Sequence, residues 1–532
     1  MKKLLKRLLC LALVCVLAIP AMACNNSAEQ NDDPNTEDAK VIYVQMYEGG
    51  YGSEWIQSII EDFEAEYAAE GYEVNLAPPS AALLYQNIAS SIKAGPKINK
   101  TDLFLGGDVN VKMILDQGKN YIAGGEYDYA LADLTDLYNS KVYGEDVLYK
   151  DKLNSALVEQ NEFNGKYYST NWSGGSTGFV YNNSYFEQNN WKVPYTTDEL
   201  INLIAQIKTA GYTPFLFNGA ASYWSYALVT WWRQLASETE VEQFWSAKDE
   251  DGNYSAEVFN TTARLQAYEL IEEMLYDNAN FYNKSSTLTH IESQMFLYNK
   301  ANKIAMAPSG DWVENEMAIN GYSRKTSNVG FIKFPIASDA IYVYDDFGNQ
   351  TYRFETVRSD EVLSAVVKAI DEGMPYTAVE GVSEADYLAI KQLRSYTVSL
   401  SFLHNAIIPV YANAKVGAKK FLAYLASDKA LQKYYDLTGC FMPFDNSGVQ
   451  LSEEPTLFQK GLYNASLNAS FTHEKHSKSK IWYKTQMYFY VESPEQAIGQ
   501  TDMTYKKTAR QWFDSDCNSV RNNFDTYVAL VS

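Results

Sequence analysis

"KVIYVQMYEGGYGSEWIQSIIEDFEAEY" (40–67) decides the fold class. Its opening, Val41 to Tyr47, is β-branched and aromatic without a turn former, which predicts a buried strand. Gly49, Gly50 and Gly52 then make a loop. Ser53 is placed to cap a helix whose apolar residues, Trp55, Ile56, Ile59, Ile60, Phe63 and Tyr67, fall on one 3.6-residue stripe that Gly71 ends. "YEVNLAP" (72–78) predicts a second strand, and a further helix leads to "TDLFLGGD" (101–108). Strand–helix–strand–helix–strand is the α/β signature of a parallel sheet. Ligands collect at the carboxyl ends of such strands, here Glu48–Tyr51 and Gly106–Asp108. Neither loop is a phosphate loop, because "EGGYG" lacks the GK[ST] ending.

Upstream, Lys2, Lys3, Lys6 and Arg7 precede an apolar run of sixteen residues, Leu8 to Ala23. That is the layout of a secretory signal peptide (1–23), and it falls short of the roughly 18–20 residues of a spanning helix. It ends in "PAMAC", with Ala21 and Ala23 three and one before Cys24. The pattern resembles the lipobox of bacterial lipoproteins, which implies a diacylglyceryl group on Cys24 and an anchor on the extracytoplasmic face of the cell membrane. The next stretch, to residue 40, carries five acids and no bulky apolar residue, so a disordered tether is expected over 24–40.

Downstream, "GKYYSTNWSGGSTGFVYNNSYFEQNNW" (165–191) mixes aromatics with Gly, Ser and Asn and releases a strand, "STGFVYNN". "TTDELINLIAQIKTAG" predicts a helix capped by Thr197 or Asp198, followed by a strand "TPFLFNG" and an aromatic helix "ASYWSYALVTWWRQL". "ANKIAMAPSGDWVEN" (301–315) runs an apolar strand into Pro308-Ser309-Gly310, where the strand should end, and then sets Asp311 beside Trp312 at a helix start. Asp311 is expected to cap that helix, with Ser309 the rival cap, and Trp312 to line a site. Further strands are expected in "SNVGFIKFPI" and "NAIIPVYAN". Asn413 should cap the helix of Val416, Phe421, Leu422 and Leu425, and another helix should run from Ser427 to Gly439.

The chain of 532 residues is long enough for two or three domains, and its formal net charge of −22 argues against a phosphate-backbone partner. With 42 tyrosines and 10 tryptophans it carries an aromatic load suited to sugar rings, which have apolar faces and hydrogen-bonding rims. Export permits a Cys440–Cys517 disulfide, and buried free thiols are the alternative. The four histidines offer no metal motif; His473 and His476 in "THEKHSKSK" read as a solvated turn, and HExxH is absent. G-x-S-x-G is absent too. No cofactor or metal is expected, and no enzyme activity.

From Val41 to about Pro443 the order of elements resembles the extracellular solute-binding proteins of bacterial ABC importers, and within them the family 1 group of maltose- and oligosaccharide-binding proteins. Gly178, Phe179, Val180, Tyr181, Asn182 and Phe186 match its signature, although Asn171 and Trp172 stand where a small and an aliphatic residue are usual. Ala305-Met306, Gly310 and Trp312 match its "AM…G-x-W" stretch, followed by Val329-Gly330 and Pro335. "NAKVGAKKFLAYLAS" matches its typical helix.

The resemblance implies two α/β lobes joined by a hinge crossed about three times, with a sugar in the interlobe cleft. Carried over position by position, it implies stacking on Trp312, polar contacts from Glu48 or Tyr51, sugar hydroxyls on Asp108, and a second aromatic platform at Tyr223 or Trp224 after Phe217-Asn218. Trp172 is counted among the ligand-binding candidates. The usual acid of that last loop is missing from Gly219–Ser222. The lobes are expected at 41–175 (first), 176–404 (second, with a possible insertion at 337–404), 405–470 (first) and 471–532 (second). The expected function is a lipid-anchored, monomeric substrate-binding protein that delivers a carbohydrate to ABC permease subunits. A surface carbohydrate-active enzyme, or a glycan-capture lipoprotein without an importer, is the alternative.

Overall fold

The computed structural model describes residues 39–217, 221–344, 349–467, 469–473, 479–485 and 487–532. The leader, Cys24, most of the tether, Asn218 to Ala220 and His476 lie outside the described residues. Asp38–Ser532 forms one compact unit, built on two sheets.

The first sheet runs in the order Glu73–Leu76, Val41–Met46, Leu103–Leu105, Asn405–Ile407, Thr170–Asn171. Its first three strands are parallel, as the strand–helix alternation predicts, and the last two pair antiparallel. The helix Glu54–Glu66 covers it with Trp55, Ile56, Ile59, Ile60 and Phe63 of the predicted stripe buried, while Tyr67 lies just past its end, half-buried, and Gly71 ends the short turn Ala68–Glu70 that follows. Ser53 begins that helix without a side-chain cap bond. The second sheet runs Val329–Ile332, Thr177–Asn182, Ile304–Gly310, Thr213–Phe215. Only its last pair is parallel, so the parallel expectation does not extend to this lobe.

The chain passes between the sheets three times. Residues 172–176 lead from Thr170–Asn171 to Thr177–Asn182, and residues 399–404 lead back from Tyr396–Val398 to Asn405–Ile407. These two crossings lie side by side: Ser176 bridges Ser399, Leu400 N–H donates to Gly175 O at 3.0 Å, and Ser399 Oγ donates to Gly174 O at 2.9 Å. The third crossing follows Gly439. The helix Leu457–Ser466 already packs on Val329–Ile332 of the second sheet, where a Cβ on Gly461 would sit 2.0 Å from Phe331 O. Residues 337–404 contribute a hairpin, Tyr342–Tyr344 with Gln350–Tyr352, and the helices Asp360–Asp371 and Glu384–Ser395. The last helix, Ala509–Ala529, packs on Thr262–Leu275.

Several local expectations are corrected. Thr196, not Thr197 or Asp198, caps the helix Thr197–Thr209, by accepting from Glu199 N–H. Ala414 rather than Asn413 precedes Lys415–Leu425, since Asp102 already takes the Asn413 and Ala414 N–H groups. Ser427 and Gly439 do bound Asp428–Thr438, Gly439 in the left-handed conformation. Cys440 and Cys517 are both free and buried, so the thiol alternative holds. His473 stacks on Trp245 at 4.7 Å instead of lying in a solvated turn.

Candidate functional site

The strand Ile304–Gly310 continues through Pro308-Ser309-Gly310 as the middle of the second sheet, paired with Thr177–Asn182, so the proline does not end it. It stops where Asp311 and Trp312 turn the chain into the helix Val313–Ile319. Gly310 is required by its neighbour: a Cβ there would lie 2.1 Å from the Trp312 ring, which folds back over it. That ring meets Tyr223 edge to face at 5.6 Å, and Tyr223 stacks on Tyr226 at 5.2 Å. Burial, with Glu316 and Tyr47 nearby, holds the Tyr223 hydroxyl far above its ordinary pKa.

Asp311 does not cap the helix. Its Oδ1 accepts from Tyr51 Oη–H at 3.1 Å and its Oδ2 from Gly175 N–H at 2.8 Å. Trp312 occupies the cap position with no side-chain bond. Tyr51 belongs to the loop after the first strand, so this contact joins the two lobes and the first hinge crossing. Beside it, Asn315 Nδ2 donates to Gly50 O at 2.5 Å, and a Cβ on Gly50 would meet Glu316 Oε1 at 2.7 Å. The carboxyl of Asp311 is fully enclosed, and burial, only partly offset by the Gly175 and Tyr51 bonds, raises its pKa to about 7.

Facing these groups are Tyr47, Glu48 and Asp108 at the ends of the first-sheet strands. Tyr47 feels Glu48, Asp108 and, from the other lobe, Glu316, all of which add to burial in raising its pKa. Asp108 is exposed and held at φ +49, a left-handed conformation rare outside glycine and frequent at functional sites. His404, from the second crossing, sits 5.6 Å from the Tyr47 ring and hydrogen-bonds Ser173. Burial lowers its pKa to about 4, against the pull of Asp108, so the imidazole is neutral. From the second lobe, His290 lies 3.7 Å from Glu316, and Gln294 Nε2 donates to Glu316 Oε2 at 2.6 Å.

Glu48, Tyr51, Asp108, Tyr223 and Trp312 thus come together from strand ends of both sheets. Their exposure differs: Asp108 is exposed and Glu48 and Tyr223 are half-buried, whereas Tyr51 and Trp312 are 3% and 5% exposed, nearly as enclosed as the two remaining candidates. Trp224 is wholly buried, its ring against Phe215 and Phe179 and its backbone N–H donating to Glu495 Oε1 at 2.9 Å. Trp172 is wholly buried as well, sandwiched between Trp55 and His404, with its indole N–H on Gly106 O at 3.1 Å. Both tryptophans pack into the interior beneath the strand ends. Sequence reasoning missed Glu316, Asn315, Gln294, His290 and His404 as members of the site. Glu316 and Asn315 follow Trp312 within one helical turn, the one signal that could have found them.

A family model for the bacterial extracellular solute-binding proteins matches residues 49–352. A curated relative, the diacetylchitobiose binding protein NgcE of Streptomyces coelicolor, is 21% identical over 280 residues, 52% of this chain and 53% of its own; the chain thus matches about half the length of that relative. Among solved structures, the solute-binding protein RafE in complex with raffinose superposes with a TM-score of 0.53 at 16% identity, covering 90% of this chain and 99% of that one. The bacterial solute receptor AcbH gives 0.56 at 12% identity, covering 91% and 99%. Maltose-bound MalE3 of T. maritima gives 0.53 at 12% identity, covering 90% and 99%. These likenesses carry the two-lobed fold, and the family model, spanning more than half of the sequence, carries the assignment: the chain belongs to the bacterial extracellular solute-binding protein family.

Proposed function

We propose that this protein captures a carbohydrate, an oligosaccharide in particular, between its lobes and presents it to the permease of an ABC importer. The observation that carries the reading is the convergence of Trp312 and Tyr223 with Tyr47, Glu48 and Asp108 from strand ends of both sheets. Flat rings cover the apolar faces of a sugar, and carboxylates accept its hydroxyls. The names of NgcE, RafE and MalE3, which point to diacetylchitobiose, raffinose and maltose, support the same ligand class. Binding proceeds without turnover, since a cleft that closes on its ligand is complementary to the ground state and not to a transition state.

The lipobox supports a lipidated Cys24 that tethers the domain to the outer face of the membrane. Among the described residues no helix is long and apolar enough to cross one. Two acyl chains suffice for stable anchoring, so Cys24→Ser should release the protein from membranes. The ligand reading is tested by a thermal-shift screen of the purified domain against mono-, di- and oligosaccharides. A true ligand at 100 times its dissociation constant adds about 2.7 kcal/mol and is recovered intact. Cleaved product in stoichiometric excess, or no shift with any saccharide, would overturn it.

A further inference from the structure

The lobes meet at a carboxyl group that no cation among the described residues pairs with. Asp311 is 1% exposed and receives hydrogen bonds from the loop of one lobe (Tyr51) and from the hinge (Gly175). Around it stand Tyr434 of the helix Asp428–Thr438, whose ring is 6.1 Å from that of Tyr51, and Cys440 of the third crossing, whose Sγ donates to Asp311 O at 3.2 Å. Ser173 of the first crossing borders the Tyr51 hydroxyl. The next charges out, Arg324 and Glu314, act on Cys440 and oppose one another. The first crossing, through Gly175, and the third, through Cys440, therefore both bond this one residue. Gly174 is kept small by the same packing, as a Cβ would lie 1.9 Å from Phe441 O and 2.9 Å from Asp311 Oδ2.

We propose that Asp311 is a positioning residue that latches the lobes through Tyr51, so that closing the cleft takes up a proton. Opening separates the Tyr51 hydroxyl from the carboxyl and lets water reach it, which favours the ionised form. Closing encloses it again, which favours the neutral acid. The sign follows. With the carboxyl enclosed as it is here, its pKa is raised to about 7, against an ordinary carboxyl value near 4 when water is admitted. Closure is therefore favoured as pH falls, and the advantage is lost as pH rises through about 7. Trp312, the next residue, moves with the latch, so the same proton couples to the stacking platform.

The test needs no ligand, so it stands apart from the carbohydrate reading. Spin labels at the exposed positions Lys97→Cys in the first lobe and Gln188→Cys in the second report the interlobe distance by pulsed electron resonance between pH 5 and 8. The closed-to-open ratio should rise as pH falls, by up to about tenfold per pH unit between roughly pH 5 and 7. Asp311→Asn, which keeps the shape and an acceptor for Tyr51, should make the ratio independent of pH. Tyr51→Phe should shift it toward open at every pH and leave the slope in place. A flat profile in the parent protein would overturn the proposal. So would a slope that survives Asp311→Asn, which would assign the proton to another group such as His290 beside Glu316.

Discussion

Two aspartates of this protein are buried against a tyrosine hydroxyl, and they do different work. Asp516 accepts from Tyr268 at 2.7 Å and from Val491 N–H at 3.1 Å, inside the second lobe. Arg264 stands 4.0 Å away, wholly buried, with its guanidinium spent on Phe259 O, Phe489 O and Tyr268. Asp311 accepts from Tyr51 at 3.1 Å between the lobes, with no arginine or lysine among the groups that act on it. Burial raises both carboxyls, to about 6 for Asp516, where Arg264 pulls back, and to about 7 for Asp311, where no cation does. The difference lies in the cation. A charge with a buried counter-charge cannot be parted from it without leaving an uncompensated ion, so the Asp516 cluster is a permanent staple for the C-terminal helix. A carboxyl held by neutral donors alone can be released to water at modest cost, which suits a contact that opens and closes.

The largest effect is expected at Arg264. Arg264→Ala leaves Asp516 buried without its cation and strands two backbone carbonyls. It should lower the unfolding free energy by about 3–5 kcal/mol, read by denaturant melting; a loss below about 1 kcal/mol would mean that the cluster is no staple. Next comes the hinge. Gly174→Ala drives a methyl into Phe441 O, a backbone atom that cannot rotate away. A cost of about 1–3 kcal/mol, typical of overpacking, should be joined by weaker ligand binding, because the crossings must shift together. Wild-type affinity in calorimetry would show that the crossings adjust independently. The smallest effect belongs to Tyr51→Phe, which removes one neutral hydrogen bond worth about 0.5–1.5 kcal/mol. That loss should appear in closure and in binding, and only faintly in melting of the lobes themselves.

Local pattern was enough for the first lobe. The stripe of Trp55, Ile56, Ile59, Ile60 and Phe63 and the apolar run before the glycine loop are decided by neighbours in sequence, and they fold as read. The convergence of Tyr223 and Trp312 also follows once strand ends are aligned, because both leave adjacent strands of one sheet. What could not be read is what distant partners decide. Asp311 looked like a helix cap because an acid before a helix usually is one. Its actual donors lie 260 and 136 positions away. Trp172 and Trp224 have the composition of platform residues, and only the tertiary packing shows that both are wholly buried. The pairing order of the second sheet was equally hidden, since apolar strands of this length carry no mark of direction.

On the proposed reading, Trp312 presents its ring to a sugar. The most direct test pairs calorimetric titration of Trp312→Ala, with the saccharide that gives the largest thermal shift, with denaturant melting of the same variant. Affinity should fall by about 2 kcal/mol or more, as for an aromatic hot spot, while stability falls by less than the roughly 3–5 kcal/mol of a truncated core aromatic. Unchanged affinity with a large loss of stability would make Trp312 a core residue and contradict the site.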